Sequence, residues 1–247
     1  MDYETHCGLL EREGARVAEL AGRISIDAPV PTCPGWTVSD LLAHVGFVHR
    51  RSTFWVSVRA SERLSVRGMN LSRGPLSSQW MAEGTSELLD ALRSGDPDEP
   101  MWAWGADQHV RFWARRMLHE TLVHRIDLEE TCGERTPIDP AAGEDAIDEF
   151  FSNVAYSADF SASAKNLVGE GETIEFSCGS VASWTVQLSP QGFAFVEPDL
   201  TPEVSVTGTP ADLLVLVYGR RRLEETSCEV VGRRDLLERW ITHSALI

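Results

Sequence analysis

Up to about residue 165 the apolar positions recur every three or four places; beyond about residue 170 they alternate. Leu9, Leu10, Val17, Leu20 and Ala21 predict an amphipathic helix over about 3–22. The passage from Pro29 to Trp36 is rich in proline and carries Gly35, so the chain must bend there. Thr37 reads as an N-cap with Asp40 as its capping-box partner, opening a second helix that carries Val38, Leu41, Leu42, Val45 and Val48, with His44 inside it. A polar loop over about 61–76 precedes a third helix over about 77–94, which passes through Trp80, Leu88, Leu89 and Leu92. Ser94 to Pro100 ends it, and Trp102 and Trp104 follow in a connecting segment, better suited to core packing than to lining a pocket. The fourth helix is expected over about 108–131, with Gly133 as its stop, and another over about 140–158 through Ala146, Ile147, Phe150, Phe151 and Val154.

In the second regime, Thr173–Cys178, Ser183–Leu188, Gly192–Glu197 and Glu203–Thr207 read as short antiparallel strands. Thr209 caps a helix with Pro210 in its first turn, and the body from Leu213 to Tyr218 is apolar all round, which suits burial between layers. A strand near Cys228–Val231 and a helix from about Arg234 complete the chain. These elements predict an α+β protein: a helix bundle over 1–165, then a small α+β domain with an antiparallel sheet over 166–247.

The formal net charge of −16 argues against a general affinity for nucleic acid or anionic membrane. No apolar run is long enough to span a bilayer and the start lacks a signal-peptide pattern, so a cytoplasmic protein is expected. Cys7, Cys33, Cys132, Cys178 and Cys228 are scattered, which suits reduced thiols better than a disulfide framework. Cys33, just before a helix start, is either a stabilised thiolate or, more simply, a small buried residue in a turn.

The candidate chemistry lies on the fourth helix. Glu120 and His124 are four residues apart, about 40° around the axis, so they share a face. With His44 arriving from the second helix they could form a His2Glu site with one open coordination position, as a catalytic zinc requires. The plainer alternative is an exposed helical pair and a core histidine, since this spacing arises often by chance. His49 is five residues from His44 and His119 five from His124, about 140° round the helix, so neither shares that ligand's face, and His109 is a weaker alternative. Asp127 either orients an imidazole or is a solvated carboxylate. Arg111, Arg115, Arg116 and Arg125 give the helix a basic side, mostly suited to ion pairing with acidic neighbours such as Glu129 and Glu130.

Two segments carry a resemblance to a known family. Pro34–His44 (PGWTVSDLLAH) and Glu120–Asp127 (ETLVHRID) resemble the actinobacterial mycothiol-dependent maleylpyruvate isomerase family, within the DinB-like metal-binding four-helix-bundle superfamily. The stretch from Thr209 to Arg220 looks like that family's C-terminal domain. The resemblance implies a divalent metal, usually zinc, held by His44, Glu120 and His124, with mycothiol as thiol cosubstrate. It also implies an arginine of the C-terminal domain facing the metal pocket, for which Arg220 is the candidate beside Arg221 and Arg222. The expected function is activation of a thiol for attack on an electrophilic small molecule, as an S-transferase or a cis–trans isomerase. A metal-dependent hydrolase and a non-catalytic DinB-like binding protein are the alternatives.

Overall fold

The computed structural model describes residues 1–247 except 70, 72–73, 155, 157–163, 180–181, 197–200 and 245–247. The chain forms two compact units, Met1–Thr136 and Pro137–Ile247.

The first unit contains α1 (Tyr3–Ala21), α2 (Val38–Ser57), α3 (Ser78–Arg93) and α4 (Val110–Cys132). α1 and α2 each pack against both α3 and α4, which makes a four-helix bundle. Each of the first three helices starts at a side-chain cap. Asp2 accepts from the Thr5 amide and Ser77 from the Trp80 amide, while Thr37 and Asp40 form a reciprocal capping box. Such caps contribute roughly 1 kcal/mol each, and here they also fix where each helix begins to count its faces. α4 stops at Gly133, in the left-handed conformation at φ 70°.

One end of the bundle is filled by Trp113, which is 0% exposed, with Trp55 and Trp102 at ring distances of 5.3 and 5.9 Å. The Trp113 indole N–H donates to the Trp102 carbonyl at 3.1 Å, so this aromatic cluster leaves its polar atom satisfied. Trp104 packs edge-on against Phe112 at 5.4 Å, and both connecting-segment tryptophans therefore serve the core. At the other end Val17, Leu20, Leu41, Leu42, Val45 and Leu128 meet beneath Trp80. Gly46 lets that indole sit directly on α2, because a Cβ there would lie 2.1 Å from its ring.

The second unit contains α5 (Pro140–Val154), a five-stranded sheet, α6 (Pro210–Val217) and α7 (Arg234–Ser244). The strands are β1 (Thr173–Ser177), β2 (Ser183–Ser189), β3 (Gly192–Val196), β4 (Val204–Thr207) and β5 (Glu229–Gly232), in spatial order β3-β2-β1-β4-β5. Ile174, Phe176, Val186, Leu188, Val204 and Val206 are 0% exposed, as alternating strand residues are when one face is covered. Phe151 of α5 lies 5.1 Å from the Phe176 ring, and Trp240 of α7 lies 5.1 Å from Phe193. No helix among the described residues is long and apolar enough to cross a membrane.

Three expectations differ from this structure. The sheet is mixed, not antiparallel: β4 lies beside β1 in parallel, with Ile174 opposite Val204 and Phe176 opposite Val206. Alternation marks a strand's faces but says nothing about its neighbour's direction, which is set here by the crossover from β3. The division between the units falls at Thr136 and Pro137 instead of near residue 165, because α5 packs on α6 and on the sheet's aromatic residues. The fifth helix ends at Val154, short of 158; residues 155 and 157–158, like Glu197 of the expected third strand, lie outside the described residues.

The glycines of the bundle give a paired test. Gly8 in α1 is exposed with open space around it, so Gly8→Ala should stabilise by up to about 1 kcal/mol through helix propensity. Gly46→Ala should destabilise by about 1 to 3 kcal/mol by overpacking against Trp80. Urea denaturation of both variants would show shifts of opposite sign; two stabilised variants would contradict the packing described.

Candidate metal centre

The centre is built across α2 and α4. The capping box at Thr37 starts α2 seven residues before His44, and α4 brings Glu120 and His124 onto one face. His44 Nε2 lies 2.9 Å from Glu120 Oε1, and His124 Nε2 lies 3.4 Å from the same oxygen. One ligand atom from each of the three residues falls within 4.8 Å of the others. The two imidazoles meet edge to face at 4.9 Å. The structure thus brings together all three candidate ligands.

Around them stands a set of side chains that fixes their orientation. Asp127, 0% exposed, accepts from His124 Nδ1 at 2.8 Å, which leaves Nε2 of that ring turned toward Glu120. The orienting role is therefore met and the solvated one is not. Asp127 is itself held by the Thr32 hydroxyl at 2.6 Å and by the Cys33 thiol at 3.5 Å. Those two residues sit on the proline-rich bend, where the Val30 amide donates to Trp36 O at 2.9 Å and the Trp36 amide to Cys33 O at 3.0 Å. Gly35, at φ 85°, supplies the left-handed position of the Cys33–Trp36 turn, and Pro34 its preceding corner. Trp36 then packs on the His44 ring at 5.3 Å. Cys33 is 1% exposed, a small buried residue that donates a hydrogen bond.

Burial by itself would push the Glu120 carboxyl up. The adjacent Arg116 guanidinium and hydrogen bonds from His124 and His44 outweigh it and hold the group well below the usual carboxylate range. For His124 burial works downward, and its bonds to Asp127 and Glu120 overcome that and raise it above an ordinary imidazole. Arg116 Nη2 donates to Glu120 Oε2, so one carboxylate oxygen is tied to an arginine while the other faces both histidines.

The other histidines do not join the group. His49 lies in the core between Thr121, at 2.8 Å, and Thr85, and burial lowers its pKa to about 4, which keeps it neutral. His119 is buried and packs edge-on against His6 at 6.3 Å. His109 sits at the N-cap of α4 and pairs with Asp107. Of the basic residues on α4, Arg111 pairs with Asp107 and Asp98, and Arg125 with Glu13 and Glu129, as ion pairing requires. Arg116 departs from the plain expectation, because its acidic partner is Glu120 itself. Arg220 belongs to the second unit, where it is buried after α6 and donates through Nη1 to Tyr218 O at 2.8 Å. Its neighbour Arg222 is exposed and pairs with Glu225.

Residues 9–129, most of the helical unit, match the family model for the mycothiol maleylpyruvate isomerase N-terminal domain. The helical unit belongs to this family. The chain is also similar to solved structures of a mycothiol-dependent maleylpyruvate isomerase, with a TM-score of 0.61, 15% identity and 90% of each chain covered. A histidine-to-alanine mutant of that enzyme gives a TM-score of 0.60, again at 15% identity and 90% coverage of each chain. At this identity the likeness establishes a shared fold for the two-unit chain. No curated protein matches the sequence. Within the isomerase family's N-terminal domain, the bend that holds Asp127 and the Arg116 pairing are features of this chain's own geometry that sequence reading missed. Arg116 was legible as an i, i+4 partner of Glu120. Thr32 was not, since 95 residues separate it from Asp127.

The Arg116–Glu120 pair sets a pH-dependent prediction. A carboxyl depressed in the folded state contributes stability above its unfolded pKa of about 4.3, and that contribution is lost as pH falls through the folded value. Arg116→Met should cost about 3 to 5 kcal/mol at pH 7, the usual cost of breaking a buried pair. In urea denaturation of chelator-treated protein the gap to wild type should narrow below about pH 4. An equal gap at both pH values would contradict the assigned cause.

Proposed function

We propose that this protein is a metal- and mycothiol-dependent enzyme that brings a thiol to an electrophilic small molecule, as an S-transferase or a cis–trans isomerase. The observation that carries the reading is the convergence of His44 Nε2, Glu120 Oε1 and His124 Nε2 within 4.8 Å, in a unit of the isomerase family. The donor set suits a divalent metal, since two neutral imidazoles and one carboxylate leave the centre net positive and three protein ligands leave a position open. Bound there, zinc would supply Lewis acidity that lowers the pKa of a thiol reaching the open position.

The chain's own residues would do the rest. Asp127 holds the His124 tautomer, and Thr32 holds Asp127. Arg116 anchors the far oxygen of Glu120 and keeps it ionised. Trp36 covers one side of His44. Arg220 is our candidate for binding a substrate carboxylate or part of mycothiol, because a guanidinium suits bidentate recognition. A thiolate that adds to a conjugated double bond, allows rotation and is expelled gives isomerisation. One that displaces a leaving group gives transfer.

Metal analysis of purified protein should find zinc in stoichiometric amount, and His44→Ala, Glu120→Gln and His124→Ala should each lose it while keeping the fold. Asp127→Asn should weaken metal affinity by about 10- to 100-fold, as loss of a ligand's orienting partner does. Wild type incubated with mycothiol and monochlorobimane should form the bimane adduct faster than the uncatalysed mixture, and the ligand variants should not. Unchanged zinc content in His44→Ala would overturn the ligand assignment. Zinc binding without thiol chemistry on this or a conjugated cis-diacid substrate would overturn the enzymatic reading.

A further inference from the structure

The first unit contains a cavity of about 680 Å3, lined in part by Phe47, Arg51, Trp55, Arg63, Val66 and Arg67. Phe47, Arg51 and Trp55 stand three, seven and eleven residues after His44, so all four project from the same side of α2. The Arg51 position lies two helical turns, about 10 Å, from the His44 position along that helix.

Arg51 is unusual in this chain. Its guanidinium stacks over the Trp55 ring at 4.8 Å and the Phe47 ring at 5.3 Å, and its buried Nε has no hydrogen-bond partner. Other arginines of the unit find acceptors: Arg50 the Trp80 carbonyl, Arg59 Glu99, Arg116 Glu120. In a protein with 38 acidic residues, Arg51 pairs with none of them among the described residues. A half-buried guanidinium whose Nε is sealed from solvent without an acceptor is partly stripped of hydration, and an anion from outside would offset that cost. Burial and the nearby Arg63 and Arg116 charges depress its pKa, with Glu120 opposing, so Arg51 lies within the field of the centre itself. Arg63 and Arg67, both exposed, add positive charge at the rim of an otherwise acidic protein and would draw anions toward it.

We infer that this cavity is an organic-anion subsite in which Arg51 clamps a carboxylate carried on a flat, conjugated or aromatic body. The planar guanidinium, backed by the Trp55 ring, matches a carboxylate in bidentate fashion, and the partly buried Phe47, Leu64 and Val66 supply apolar lining for the attached body. The volume falls in the usual range for small-molecule pockets, about 300–1,000 Å3. That the anion is the substrate's own distal carboxylate, held while its electrophilic carbon lies at the metal centre, rests on the function proposed above; the binding itself does not.

The test uses benzoate as probe and benzamide as its neutral counterpart, titrated calorimetrically into chelator-treated full-length protein. Benzoate should bind wild type and His44→Ala alike, and benzamide about tenfold or more weaker. Arg51→Met should weaken benzoate about tenfold, the loss of one charge-assisted bidentate contact. The surface variant Arg63→Met/Arg67→Met should weaken it about threefold with an unchanged circular dichroism spectrum, and serves as the test should Arg51→Met fail to fold. Equal affinity for benzoate and benzamide, or benzoate binding insensitive to these substitutions, would overturn the subsite. Arg51-dependent benzoate binding in a protein that takes up no zinc would sustain the subsite and remove the catalytic reading alone.

Discussion

An imidazole has two nitrogens, and only one of them can turn toward a metal. In this protein Asp127 makes the choice for His124 by accepting a hydrogen bond from Nδ1 at 2.8 Å in a fully buried position. Without that bond the ring could flip or exchange tautomers, and Nε2 would have no fixed relation to Glu120 or His44. The bond is supported in turn by Thr32 and Cys33, on a bend between α1 and α2 whose shape comes from Pro34 and Gly35. Residues far apart in the chain are joined in this way into a single orienting device.

The same bend closes the site from another side. Trp36 rests on His44, and one residue later Thr37 caps the helix that carries it. The loop sets both the start of α2 and the surroundings of His44. Across from it, Arg116 binds the outer oxygen of Glu120, so the inner oxygen lies between the two imidazoles. The bundle beneath supplies rigidity through the Trp55, Trp102 and Trp113 cluster and through the close approach of Trp80 to Gly46. Polar and apolar contacts thus divide the labour: the first aim the ligands, the second hold the helices that carry them.

Much of this was legible in the chain itself. Capping at Thr37 and Asp40, the stop at Gly133, the cap at Thr209 and the proline that opens α6 are local chemistry, and each appears where the residues demand it. Glu120 and His124 share a face by helical spacing alone, and the family resemblance joined His44 to them. Features that depend on distant pairings were not readable. The direction of β4 beside β1, the membership of α5 in the second unit and the support of Asp127 by Thr32 all join segments with no shared local signal. Arg116 and Arg51 show the same limit in another form. Both are arginines in helices, and only their surroundings distinguish one that serves the centre from one left without an acceptor.

X-ray absorption at the zinc edge of the metal-loaded protein, before and after adding mycothiol, addresses the chemistry most directly. The proposed function predicts a first shell of two imidazole nitrogens and carboxylate oxygen at about 2.0–2.2 Å, with a sulfur scatterer at about 2.3 Å appearing only when mycothiol is present. A shell lacking imidazole, or one that gains no sulfur at saturating mycothiol, would contradict it.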